Sequence, residues 1–177
     1  MNALLILNMQ VGAISVSPCY DIEGVVSRIS SLAARFRERG DLVVLVKHNG
    51  SRENFMPRGS ADGELIAELT PGPADLVVEK TVNDAFYRTG LDETLRARGV
   101  SEVFVAGCMT EMCVNSTVQS ALTKDYLVTV VKDCHTTGDR PRLSSRQIID
   151  FYNWLWGILV PTAGFVRMRN AAEIAAE

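Results

Sequence analysis

Residues 103–114 read Val-Phe-Val-Ala-Gly-Cys-Met-Thr-Glu-Met-Cys-Val. A β-branched apolar run closes on Gly107, Thr110 follows where an N-cap belongs, and a helical pattern begins. That order places Cys113 in a first helical turn, where free backbone N–H groups and the positive end of the helix dipole favour a thiolate over a thiol. A buried structural thiol is the commoner fate of cysteine, so Cys113 alone does not settle its role. Two other segments leave the ends of apolar runs with polar residues: Asn8-Met9-Gln10 after 3–7, and Glu79-Lys80 after 76–78. Remaining candidates for metal chemistry are few. The four cysteines, Cys19, Cys108, Cys113 and Cys134, form no CxxC pair, and the two histidines, His48 and His135, form no HxH or HxxxH pair, so no metal site is expected.

The elements that must position these residues alternate in type. Short apolar runs at 3–7, 42–46, 76–78, 103–106 and 127–132 read as strands, with a last one at 165–168. Apolar residues recur at helical spacing over 22–39 (Ile22, Val25, Val26, Ile29, Leu32, Ala33, Phe36), and further helices are expected at 64–69, 92–98, 111–124 and 144–159 and in the alanine-rich tail. Residues 49–63, rich in Gly, Ser and Arg, read as a surface loop or lid. Repeated β-then-α order with apolar strands predicts a three-layer α/β/α domain over 1–177, with a six-stranded, mainly parallel, doubly wound sheet. In such sheets sites form at the carboxyl ends of the strands, so Asn8, Lys80 and Cys113 are expected to converge.

The composition is that of an ordinary globular domain: 47% hydrophobic, 22% charged, net charge −3. The mixed charges argue against a nucleic-acid groove, and no apolar run is long enough to span a bilayer. The first residues enter a strand without a basic leader, so a reducing, cytoplasmic setting with free thiols is expected.

Three blocks carry a resemblance. They are Leu-Ile-Leu-Asn8-Met9-Gln10; Lys80-Thr-Val-Asn83-Asp-Ala85-Phe86-Tyr-Arg-Thr89-Gly-Leu91; and Gly107-Cys108-Met109-Thr110-Glu111-Met112-Cys113-Val114-Asn-Ser-Thr117-Val-Gln-Ser-Ala121. The chain resembles the isochorismatase-like cysteine hydrolases over nearly its whole length. Asp133-Cys-His135-Thr-Thr, Ile148-Ile149 and Asn153 are similar to an amidase-like subgroup of that family.

The resemblance implies Cys113 as nucleophile on a small amide, urea or lactam, through a covalent intermediate that water releases. It also implies Lys80 holding the thiolate by charge, a cis peptide at Cys108–Met109, and an oxyanion hole built from the N–H groups of Met109 and Cys113. It implies no cofactor, and assembly as a dimer or tetramer. Metal-binding relatives carry Asp-x-His after the second strand, and Lys47-His48-Asn49 lacks that pattern. Candidate substrate contacts are Gln10, His48, Phe86, His135 and Trp156. Core packing is the alternative for the two aromatic residues, a structural hydrogen bond or a simple loop position after the fifth strand for His135, and a polar strand-end role for His48. Glu111 and Asn115 are expected at solvent or at an interface.

One position departs from the family. Asn8 stands where the family's general base is Asp, and an amide cannot take up a thiol proton. Loss of a positioned base costs ~10²–10⁴ in rate. Three readings of Asn8 remain open at this level: an introduced substitution that traps substrate, a native residue in an enzyme that is slow or recruits another base, and a native residue in a homologue that binds a metabolite or protein partner without turnover.

Overall fold

The computed structural model describes residues 1–16, 18–50, 56–161 and 166–177. Six strands form one sheet: β1 (Asn2–Leu7), β2 (Leu42–His48), β3 (Leu76–Lys80), β4 (Glu102–Cys108), β5 (Leu127–Thr136) and β6 (Val166–Arg169). Their order is β3-β2-β1-β4-β5-β6 and every pairing is parallel. The helices are α1 (Val11–Ser15), α2 (Ile22–Glu38), α3 (Leu91–Ala97), α4 (Asn115–Thr123), α5 (Ser145–Gly157) and α6 (Ala171–Ala175).

Strand side chains alternate between faces, so one run of apolar residues serves two cores. Leu4, Ile6, Val43, Leu45 and Phe104 pack with Val25, Ile29, Leu32 and Phe36 of α2 and Ile174 of α6. Ala3, Leu5, Leu7, Val44 and Val105 pack with Leu91 and Leu95 of α3, Val118 and Ala121 of α4, and Trp156 of α5. The result is the expected three-layer arrangement, buried on both faces as parallel sheets require.

Strand order reverses between β1 and β4, which places a crevice at their carboxyl ends. There the two backbones meet closely. Leu7 lies opposite Gly107, whose φ is +112°, and a Cβ on Gly107 would overlap the Leu7 backbone, so only glycine fits. The next residue of β1's exit, Asn8, has φ of 52°, a left-handed conformation that Asn and Asp tolerate best among side-chain-bearing residues.

Several sequence expectations need revision. The segment 64–69 is not an α-helix. Its residues bond to 9–11 instead, with Val11 N–H donating to Glu64 C=O and Ile66 N–H to Met9 C=O, and only short 3₁₀ turns form at Ala61–Gly63 and Ala67–Leu69. These long-range backbone bonds outcompete local helix. Strand β5 runs past 132 to Thr136, because a register shift between Val105 and Gly107 lets His135 pair with Gly107 and Thr136 with Cys108. His135 is therefore a strand residue rather than a loop residue. The expected single helix over 111–124 is split into a π-helical turn (Thr110–Val114) and α4. Of the loop expected at 49–63, residues 51–55 lie outside the described residues, as does residue 165 of the last strand.

Candidate active site

The three strand-end segments converge on one sulfur. Lys80, the last residue of β3, is 1% exposed, and its ammonium donates to Cys113 Sγ at 3.2 Å and to the Val82 carbonyl at 2.9 Å. Asn8 Nδ2 donates to the same sulfur at 3.3 Å. Asn83 Oδ1 lies 3.5 Å away and accepts from the S–H when the thiol is protonated. An ammonium and an amide N–H directed at one sulfur both stabilise its anionic form. Burial pushes the thiols of Cys19, Cys108 and Cys134 upward in pKa.

Cys113 sits in the π-helical turn, where the N–H of Val114 reaches back to the carbonyl of Met109. Thr110 does not cap this turn. Met109 occupies the N-cap position, and Thr110 Oγ1 donates instead to His135 Nδ1 at 3.0 Å. The direction of that bond follows from its neighbours. Asn153 Nδ2 donates to the Lys132 carbonyl, leaving Asn153 Oδ1 to accept from His135 Nε2–H at 3.0 Å, so Nδ1 is the acceptor nitrogen. Burial among these groups lowers the His135 pKa to about 4, so the ring is neutral near pH 7. The peptide between Cys108 and Met109 is cis.

Around the sulfur lies a cavity of about 460 Å³, lined by Asn8, Ala13, Val16, His48, Met56, Asn83, Cys108, Met109, Met112, Cys113 and Arg140. Its size and mostly apolar wall suit a small organic molecule held by a few polar groups. Two buried polar atoms of this lining have no hydrogen-bond partner among the described residues, Asn8 Oδ1 and His48 Nδ1. Arg140 pairs with Glu111 and donates to Thr137. Among the described residues no cluster of His, Cys, Asp or Glu is arranged to hold a metal ion.

Of the candidates for substrate contact, His48 lines this cavity and four do not. Gln10 is fully buried and braces the backbone, its Nε2 donating to the carbonyls of His48 and Gly63 while its Oε1 accepts from His48 N–H. Phe86 stacks on Tyr126 in the core. Trp156 is also core: its ring packs edge-on against His135, and its Nε1–H donates to Asn115 Oδ1. His135 is held by Thr110 and Asn153 beside the turn that carries Cys113. Glu111 and Asn115 are half-buried and bonded within the chain, to Arg140 and Trp156, rather than turned to solvent. Asn83 and Arg140 were not legible as cavity residues. Asn83 lies inside the Lys80 block, and that position was the available signal. Arg140 lies in a polar turn with none.

The arrangement can be compared with known proteins. Residues 2–150 match the isochorismatase domain family. The chain belongs to the isochorismatase family. It is 35% identical over 142 residues to a streptothricin hydrolase of Streptomyces noursei, matching 80% of this chain and 51% of that protein. It is 29% identical to the ureidoacrylate amidohydrolase RutB of Variovorax paradoxus (strain S110), over 87% of this chain and 77% of that one. This isochorismatase-family chain thus spans about half the length of the first relative. A solved isochorismatase family protein superposes with a TM-score of 0.86 at 27% identity, covering 94% of this chain and 96% of that one. The N-carbamoylsarcosine amidase from Thermoplasma acidophilum shares the fold, with a TM-score of 0.79 at 24% identity over 96% of each chain. No helix among the described residues is long and apolar enough to cross a membrane.

Proposed function

We propose that this protein is a cysteine hydrolase that cleaves the C–N bond of a small amide, urea or lactam through a thioester or thiocarbamate on Cys113. The observation that carries the reading is the convergence of Lys80 Nζ and Asn8 Nδ2 on one sulfur inside a cavity at the strand-order switch point. Relatives named for hydrolysis of streptothricin and of ureidoacrylate support C–N bonds as the class. Asn8 Oδ1, without a hydrogen-bond partner among the described residues, supports a substrate carrying an N–H, which it would accept.

In the reaction the Cys113 thiolate adds to the substrate carbonyl carbon, and the N–H groups of Met109 and Cys113 bind the oxyanion. Collapse breaks the C–N bond, and the departing nitrogen takes a proton from the Lys80 ammonium. Water then adds to the acyl carbon and gives one proton back to the Lys80 amine, the C–S bond breaks, and the acid leaves with the thiolate restored. Asn8 holds the sulfur and the substrate but accepts no proton, which makes the second half of the cycle the slower one.

The test is alkylation of the native protein with iodoacetamide near pH 7, followed by peptide mapping. Cys113 is expected to react at least ~10-fold faster than a free thiol, and Lys80→Met is expected to remove that advantage. Alkylation of Cys113 at the ordinary thiol rate in the native protein refutes the nucleophile assignment.

A further inference from the structure

We infer that the cavity selects uncharged amides with an apolar acyl group, and that the Arg140–Glu111 ion pair is the specificity determinant that turns acidic substrates away. The inference rests on the Cys113 nucleophile reading above and narrows its substrate class.

The cavity has two regions of different chemistry. At the sulfur stand Asn8 and Asn83, whose side-chain amides lie 3.3 and 3.5 Å from it. Much of the remaining wall is apolar: Ala13 and Met56 are buried in it, and Val16 and Met112 are exposed where it opens. Met109 occupies the N-cap of the turn that carries Met112 and Cys113, and the Met112 N–H donates to the Met109 carbonyl. Apolar surface therefore begins directly beside the nucleophile. Methionine side chains are flexible and polarizable, and they mould to apolar groups of different shape. A carbonyl held at the sulfur carries its acyl substituent against these thioethers and methyl groups. A charge placed among them loses hydration without gaining a partner.

Among the described residues Arg140 is the permanent cation of this lining, and each of its guanidinium nitrogens is engaged within the chain. Its Nε donates to Glu111 Oε1 at 2.7 Å, and its Nη2 meets the same oxygen at 2.6 Å and Thr137 Oγ1 at 3.0 Å. Its Nη1 donates to the Asp139 carbonyl at 3.3 Å. The backbone is fixed as well, because Arg140 and Leu143 exchange N–H to C=O bonds in both directions. Glu111 follows Thr110 in the turn that carries Cys113, and only 18% of its side chain is exposed. A substrate carboxylate that reached the guanidinium would lie against the Glu111 carboxylate, or would displace it and leave it without its partner. Either arrangement disfavours an acidic substrate.

The reaction on the selected class balances as hydrolysis. The C–N bond breaks, water supplies a hydroxyl group to the acyl carbon and a proton to the nitrogen, and an apolar carboxylic acid and ammonia or an amine leave.

Three amides of one chain length test the selection: hexanamide, adipic acid monoamide and 6-aminohexanamide. They are alike at the reacting end and finish in a methyl group, a carboxylate and an ammonium. Ammonia release gives kcat/KM, and protection of Cys113 against iodoacetamide reports occupancy without turnover. In the native protein hexanamide is expected to exceed both charged amides ~10-fold or more in each readout. Glu111→Gln frees the guanidinium, and is expected to raise adipic acid monoamide ~10-fold relative to hexanamide. The ratio is read within each variant, so a slower turn does not disguise it. Glu111→Asp, which withdraws the carboxylate by one methylene, shifts the ratio in the same direction and serves where Glu111→Gln is not obtained in soluble form. A charged amide that matches hexanamide in the native protein overturns the selection. So does hexanamide that is neither hydrolysed nor protective while Cys113 is rapidly alkylated. An unchanged ratio in the Glu111 variant overturns the role of the ion pair. Alkylation of native Cys113 at the ordinary thiol rate overturns the nucleophile reading itself, and is distinguishable from all of these.

Discussion

Acidification should weaken this fold through one buried ring, and His135→Gln isolates the effect. His135 accepts from Thr110 and donates to Asn153 in a site where it is 2% exposed, and its pKa falls to about 4. In the unfolded chain the ring titrates near 6.5. Between those values the unfolded state binds a proton that the folded state refuses, so stability is lost as pH falls below about 6.5 and the loss levels off below about 4. With a pKa of about 4 against 6.5, the loss between pH 7 and pH 4.5 is about 2.5 kcal/mol from this group. Urea unfolding at both pH values, on the native protein and on His135→Gln, measures it. Carboxylates contribute equally to both proteins and cancel in the difference. The native protein should lose about 2–3 kcal/mol more than the variant on acidification. Equal acid slopes in the two proteins refute the reasoning, because they require a ring that is free to charge in the folded state. A functional consequence accompanies the stability change: protonation removes the acceptor for Thr110 O–H, and Thr110 opens the turn that carries Cys113.

Two further predictions test the frame around the site. Gly107→Ala places a methyl group against the Leu7 backbone at a φ of +112°, and should cost at least about 2 kcal/mol in urea unfolding or prevent soluble expression. Trp156→Phe removes the bond to Asn115 and leaves Asn115 Oδ1 without that donor; it should cost about 1–2 kcal/mol in stability while leaving the p-nitrophenyl acetate acylation rate of Cys113 within about threefold, as a core residue outside the cavity should.

Much of this protein was legible before any coordinates. Apolar strands alternating with helical periodicity specified a parallel sheet with helices on both faces, because a strand buried on two sides has no polar face to show. The positions of Asn8, Lys80 and Cys113, each just where an apolar run ends, followed from the same pattern. Other features depended on contacts between distant segments. The stretch 64–69 has helical composition but bonds to 9–11, since backbone partners from β1's exit are available only in the folded chain. His135 and Trp156 have the chemistry of ligand contacts, yet a register shift in β5 and the packing of α5 turn them against each other beside the turn that carries Cys113. Periodicity reports which face of an element is apolar; it does not report whether a polar atom on that element finds its partner in a neighbour or in a cavity. For Cys113 the sequence supplied the residue and its place at a helix start. The tertiary structure decided what surrounds the sulfur, an ammonium and two amides and, among the described residues lining the cavity, no carboxylate, because those groups leave the same end of one sheet but lie about 30 to 105 residues away along the chain.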